Sequence, residues 1–170
     1  MPGNLTPGQM FDHELNAVKG WPSPYAVDKR AEPADPDADI KAGMLMYLDA
    51  NGKFAKGASN TSMAIFALQN QNDFDANGDT GNITGGIMSG LVAVGAYELE
   101  TTEFDADDTY NPNTQLVAGG TDGYVGANGG NTYAFNVVGV VSDGVFTNDH
   151  GKDVLRFWPV YMPKTGVSGA

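Results

Sequence analysis

The stretch 44–54 constrains the fold most. Met44, Leu45, Met46, Tyr47 and Leu48 form an apolar run, Asp49-Ala50-Asn51-Gly52 closes it, and Lys53-Phe54 starts a second run. Asn-Gly is a strong hairpin signal, because both residues tolerate the positive φ that a tight two-strand turn needs. The pattern returns 71 residues on, measured from Gly52 to Gly123. Gln115, Leu116, Val117 and Ala118 lead into a glycine-containing loop, Asp122-Gly123 makes the turn, and Tyr124-Val125 begins the next strand. Each hairpin is followed by a polar stretch and an apolar strand, residues 63–68 in the first case and 135–141 in the second. One extra residue in the second loop keeps the two in phase. The chain therefore reads as two diverged copies of one β unit.

Composition agrees with many short strands. Of the 170 residues, 41% are hydrophobic, enough for a real core, and 23 are glycines, many at turn-like sites. The expected fold class is all-β, as a small barrel, a β-tulip-like fold or a sandwich with a duplicated hairpin unit. A formal charge of −12 repels phosphate and argues against direct nucleic-acid binding. There are no cysteines, which removes disulfides, thiolate nucleophiles and Cys-ligated metals. The start of the chain lacks the basic and apolar segments of a signal peptide, and no apolar run is long enough for a membrane helix. A soluble protein made in a cytoplasm is expected.

Residues 1–39 read as an extended N-terminal arm, with six of the nine prolines. Proline removes backbone donors and holds its predecessor extended. A short helix fits residues 8–18, where Met10, Phe11, Leu15 and Val18 share a face. Phe11, Trp21 and Tyr25 are the arm's candidate contact residues, since aromatic side chains anchor interfaces and proline geometry lowers the cost of ordering them. A β domain follows over 40–163, with halves at 40–108 and 109–163, and then a small-residue flexible tail at 164–170. Residues 91–101 read as one strand leaving a packed interior for a solvated edge, with Glu98 and Glu100 on its outer side. The last strong strand, 154–162, is the most aromatic, and Pro159 places it at an edge or a bulge. Phe157, Trp158 and Tyr161 there are further contact candidates, with core packing as the alternative.

Chemistry is sparse. Asp73, Asp75, Asn77 and Asp79 match the first half of a calcium loop, but its twelfth position is Thr84 where a bidentate Glu belongs. An Asx-rich turn is the favoured reading there, and calcium is the single cofactor candidate. Asp105, Asp107 and Asp108 form an acidic loop, and His150 lies near Asp149 and Asp153; both patterns are common in solvated loops. No nucleophile elbow or phosphate-binding loop is present. The expectation is a binding or structural protein, not an enzyme.

Three features give a resemblance to a known family. A Pro-rich arm precedes the β domain. The element Gly43-Met44-Leu45-Met46-Tyr47-Leu48-Asp49 with Gly52-Lys53-Phe54, followed by Ile65-Phe66-Ala67-Leu68, looks like the opening of a lambda-type decoration domain. Residues 90–104 look like that family's later strand with its aromatic, acidic sequel. Over residues 40–108 the chain thus resembles the head decoration, or capsid cement, proteins of tailed double-stranded DNA phages, and 109–163 is an added half. The resemblance implies a non-enzymatic virion protein, made in the host bacterial cytoplasm. It would sit on the capsid outer surface as a homotrimer, touch the major capsid protein, bridge neighbouring subunits and resist the pressure of packed DNA. The alternatives are another phage structural module, such as a minor capsid, head-fibre or tail protein, and a carbohydrate-binding β domain.

Overall fold

The computed structural model describes residues 13–19, 28–59, 62–71, 87–92, 97–118, 122–128 and 137–162. The described residues form eleven strands: β1 (Leu15–Lys19), β2 (Asp28–Ala31), β3 (Leu45–Leu48), β4 (Phe54–Lys56), β5 (Ile65–Ala67), β6 (Met88–Leu91), β7 (Glu98–Thr101), β8 (Gln115–Ala118), β9 (Val125–Ala127), β10 (Val137–Thr147) and β11 (Asp153–Met162). They make two antiparallel sheets, ordered β2-β6-β5-β3-β4 and β1-β7-β11-β10-β8-β9. The fold is all-β, as the sequence indicates. The sheets do not close into a barrel, so the sandwich is the form adopted.

Set β1 aside and the two sheets have the same strand order, β2–β6 in one and β7–β11 in the other. The agreement extends to individual bonds. β3 and β4 pair Met46 with Lys56 and Leu48 with Phe54, while β8 and β9 pair Leu116 with Ala127 and Ala118 with Val125. A tight turn precedes β3, with Met44 N–H donating to Lys41 O (3.1 Å), and its counterpart precedes β8, with Thr114 N–H donating to Asn111 O (3.0 Å). Gly43 (φ 89°) and Asn113 (φ 71°) occupy the same left-handed position in these turns. Asn is one of the few residues other than Gly that enters this region readily. Phe54 N–H bonds Glu32 O (2.8 Å), as Val125 N–H bonds Glu103 O (3.0 Å). Even the acidic turns correspond: Asp35 Oδ1 accepts from Asp37 N–H (2.8 Å) and Asp105 Oδ1 from Asp107 N–H (3.0 Å). The chain is a tandem repeat of one five-stranded unit, with units over 28–92 and 98–162. The duplication read from the hairpins is real, but each unit begins one strand earlier than the halves read from sequence.

The units stack in one direction. Leu45, Phe66 and Leu91 of the first sheet share a core with Leu99, Leu116, Val141, Leu155 and Phe157 of the second. The Phe66 and Phe157 rings lie 5.4 Å apart, tilted by 35°. Alternate residues of the first sheet, Met46, Phe54, Ile65, Ala67 and Met88, face a separate core on its far side. Side chains alternate across a strand, so the first sheet is buried on both faces. In the second sheet Leu116, Val125 and Phe157 stand where the first has Met46, Phe54 and Gly90, and it is this face that receives the first unit. Each sheet therefore meets the other through a different face.

Two expectations change. Residues 91–101 are not one strand: Leu91 ends β6 in the first sheet and Glu98 opens β7 in the second. Leu91 and Tyr97 both belong to the core shared by the sheets, and residues 93–96 between them lie outside the described residues. β7 is also interior, between β1 and β11, and Glu98 and Glu100 are buried at 1% and 9% exposure. Pro159 sits in an interior strand, next to the register shift between Val137 and Gly139 where Gly139 faces it, so the bulge reading holds and the edge reading does not. Within the arm, residues 15–19 form a strand rather than helix, and β1 and β2 are paired to this chain's own β7 and β6.

The unit junction depends on close backbone approach. Leu45 N–H donates to Gly123 O (2.7 Å), and Thr101 Oγ1 donates to Gly43 O (3.2 Å). A Cβ on Gly43 would lie 2.3 Å from Thr101 Oγ1 and 2.7 Å from Glu14 O, whereas one on Gly52, also at positive φ, would meet nothing within 4 Å. Gly52→Ala is expected to cost about 1–2 kcal/mol from φ alone, and Gly43→Ala at least about 1 kcal/mol more. Urea denaturation of both variants checks this; equal losses would mean the junction relaxes freely.

Candidate functional site

Two surfaces stand out, and both follow from how the second unit departs from the first. The first is the outer face of the second sheet. Its equivalents in the first sheet, Leu45, Phe66 and Leu91, are buried at the junction. Here Gln115 and Val140 are half-buried and Trp158 is 47% exposed. Register fixes the correspondence: Phe66 pairs with Leu91 as Val140 pairs with Trp158. Phe146, also exposed, stacks beneath the Arg156 guanidinium at 4.7 Å, and Arg156 Nε donates to Glu100 Oε2 (3.2 Å). An aromatic patch thus adjoins a neutralised ion pair.

The second surface surrounds β1, the one strand among the described residues without a counterpart in the first unit. Its residues are mostly exposed or half-buried, so burial contributes little to holding it. Polar contacts hold it instead. Glu14, 7% exposed, takes His150 Nδ1 at Oε1 (2.8 Å) and the side-chain amides of Asn16 (2.8 Å) and Asn148 (3.2 Å) at Oε2. Glu103, 3% exposed, takes His13 Nδ1 (2.6 Å) and the Thr102 hydroxyl (2.9 Å), both at Oε1. Lys19 Nζ lies 3.1 Å from Glu98 Oε2, close enough for an ion pair although not aligned as a hydrogen bond. Burial pushes the Glu98 carboxyl up, but Ser142, Lys19 and Arg156 together outweigh it and hold its pKa below the usual value. Both histidines of the chain face buried glutamates here. Sequence gave no sign of this, since the partners are 90 and 136 residues apart.

The contact candidates separate. Phe157 is fully buried in the shared core, so it is a packing residue and not a surface anchor, while its neighbour Trp158 is exposed on the opposite face. Tyr161 lies in β11, but its side chain is outside the described residues, as are Phe11, Trp21 and Tyr25. The calcium-loop residues Asp73, Asp75, Asn77 and Asp79 are outside them as well. Among the described residues no group of three or more His, Asp or Glu side chains converges as for a metal ion. The acidic loop is an Asx turn: Asp105 caps Asp107 N–H, and Asp108 Oδ2 accepts from Ala127 N–H (2.8 Å). His150 turns to Glu14, while Asp153 accepts from Thr147 (2.9 Å), so the two do not form one site.

Tyr110 fastens that loop to β9, donating to Asp105 O (2.7 Å) with Val125 O at 3.2 Å. Burial and the nearby Asp108 and Asp105 raise its pKa well above that of a free tyrosine. Comparison of the chain with family models, with curated proteins and with solved structures finds no match.

Two outcomes follow. Phe157→Ala is expected to cost about 3–5 kcal/mol as a core cavity, and Trp158→Ala under about 1 kcal/mol, as a surface change; thermal melts of the two variants check the split. The raised Tyr110 pKa favours the protonated phenol in the folded state. Its contribution is therefore complete below about pH 10, the unfolded value, and is lost as pH climbs above it. Stability measured from pH 8 to 11.5 should fall more steeply in the wild type than in Tyr110→Phe; parallel curves would show that Tyr110 does not carry the alkaline loss.

Proposed function

We propose that this chain is a structural virion protein that binds the outer surface of a phage capsid and bridges neighbouring capsid subunits, without catalysing a reaction. One observation supports it above the others: among the described residues, the face that the first unit buries at the junction is only partly buried in the second. In the first unit this face buries Leu45, Phe66 and Leu91 against another sheet. In the second it presents Val140, Gln115 and the half-exposed Trp158. A face with a half-exposed tryptophan among half-buried neighbours suits attachment to a foreign surface. Burying the exposed part of Trp158 is worth about 2 kcal/mol, and identical weak contacts repeated over a lattice add through avidity. The charge of −12 disfavours nucleic acid as the partner. In this reading the chain assembles on the capsid as a homotrimer, with the major capsid protein as its partner.

The test is co-sedimentation with expanded, DNA-free heads built from the major capsid protein of the same genome. The chain is expected to pellet with the heads to saturation and to raise their heat resistance, with Trp158→Ala weakening binding about tenfold or more. Chain left in the supernatant, or binding indifferent to Trp158, would overturn the reading. An exposed tryptophan also suits stacking on a sugar ring, and Trp158-dependent retention on a glycan array would favour a carbohydrate-binding role instead.

A further inference from the structure

A groove of about 560 Å³ lies just ahead of β1, lined by His13, Thr102, Glu103, Phe104, Asp105 and Tyr124 among others. His13 also walls a second cleft of about 250 Å³, where Leu15, Ala42 and Leu68 supply apolar surface. Neither lining includes a lysine or arginine among the described residues. Glu103 is the unusual member. It is 97% buried by its 3% exposure, yet both of its side-chain bonds fall on Oε1, and no described residue donates to Oε2. Oε2 itself stays in contact with solvent, so a donor that enters the groove can replace water there. Asp105, exposed at the same groove, commits Oδ1 to its own turn. The Tyr124 side chain, 39% exposed, adds an aromatic surface.

We propose that this groove binds the guanidinium of an arginine presented by an extended segment of a partner protein, with Glu103 and Asp105 as acceptors and Tyr124 as the stacking surface. Guanidinium fits better than the other cations. Its planar fork can bond two carboxylates while lying on an aromatic ring, which a compact ammonium does less well. Calcium needs six to eight oxygens and gains nothing from the aromatic side chains. The second cleft then receives an apolar neighbour of the arginine against Leu68, which is 42% exposed. The chain's net charge of −12 would speed the approach of a basic segment and make binding salt-sensitive. The groove and the Trp158 face are separate surfaces, so either can fail without the other.

The experiment is an amide-resolved NMR titration of the full chain with the peptide acetyl-Gly-Arg-Leu-amide and its lysine and citrulline counterparts. The arginine peptide is expected to shift residues 102–105 and 122–124, the lysine peptide to bind more weakly, and the uncharged citrulline peptide not to bind. Asp105→Asn keeps the turn, because an amide oxygen can accept from Asp107 N–H, and should weaken binding roughly tenfold. Glu103→Gln should do the same, while Trp158→Ala should change nothing. Equal binding of the citrulline peptide, shifts confined to other regions, or no effect of Asp105→Asn would overturn the assignment. Calcium alone reproducing the arginine-induced shifts would overturn it too, making the groove a simple cation site.

Discussion

The structure depends on the burial of one sheet against a copy of itself turned to a different face. Leu45, Phe66 and Leu91 from the first unit meet Leu116, Leu155 and Phe157 from the second. The face of the first sheet that carries these residues is covered by the second sheet, and sheets without cover are marginal in water. The junction is tightened by backbone contact, Leu45 N–H to Gly123 O and Thr101 Oγ1 to Gly43 O. Glycine at 43 and 123 is what lets the main chains come this close.

Because the packing is one-directional, equivalent positions in the two units have had different constraints. Leu91 must be apolar and of fixed size, whereas its counterpart Trp158 stands half in water. Gly90 leaves room for Met46, Ile65 and Phe54, whereas its counterpart Phe157 fills the space between the sheets. The hairpin tip at Gly52 projects into open space, while that at Gly123 is seated on β3. β1 is the other departure from symmetry. It adds a sixth strand to one sheet, held by its ladder to β7, by Leu15 against the shared core and by the polar contacts of Glu14, Glu98 and Glu103. Such contacts order a strand without the large burial that would make it permanent.

Much of the local structure was legible in the residues. Asn51-Gly52 and Asp122-Gly123 marked the hairpins through their glycines, which alone of the two residues take positive φ in each turn. The repeat was visible because the turns keep their spacing even where side chains have diverged. The unit boundaries were not, because β2 and β7 carry almost no apolar signal; β7 looked like a solvated edge, since Glu98 and Glu100 alternate with Leu99 and Thr101. Their burial depends on Lys19 and Arg156, which arrive from elsewhere in the chain. Phe157 and Trp158 illustrate the same limit, being adjacent aromatic residues with opposite fates.

The sequence by itself determined an all-β chain, its hairpins and its duplication, because turn chemistry and period-two alternation act within a few residues. Only the tertiary structure decided which face of each sheet is buried, which of two neighbouring aromatics is exposed, and that His13 and His150 meet Glu103 and Glu14. Those outcomes depend on which sheet is set against which face, and on side chains brought together from distant parts of the chain. A local pattern holds no information about either until the sheets have packed.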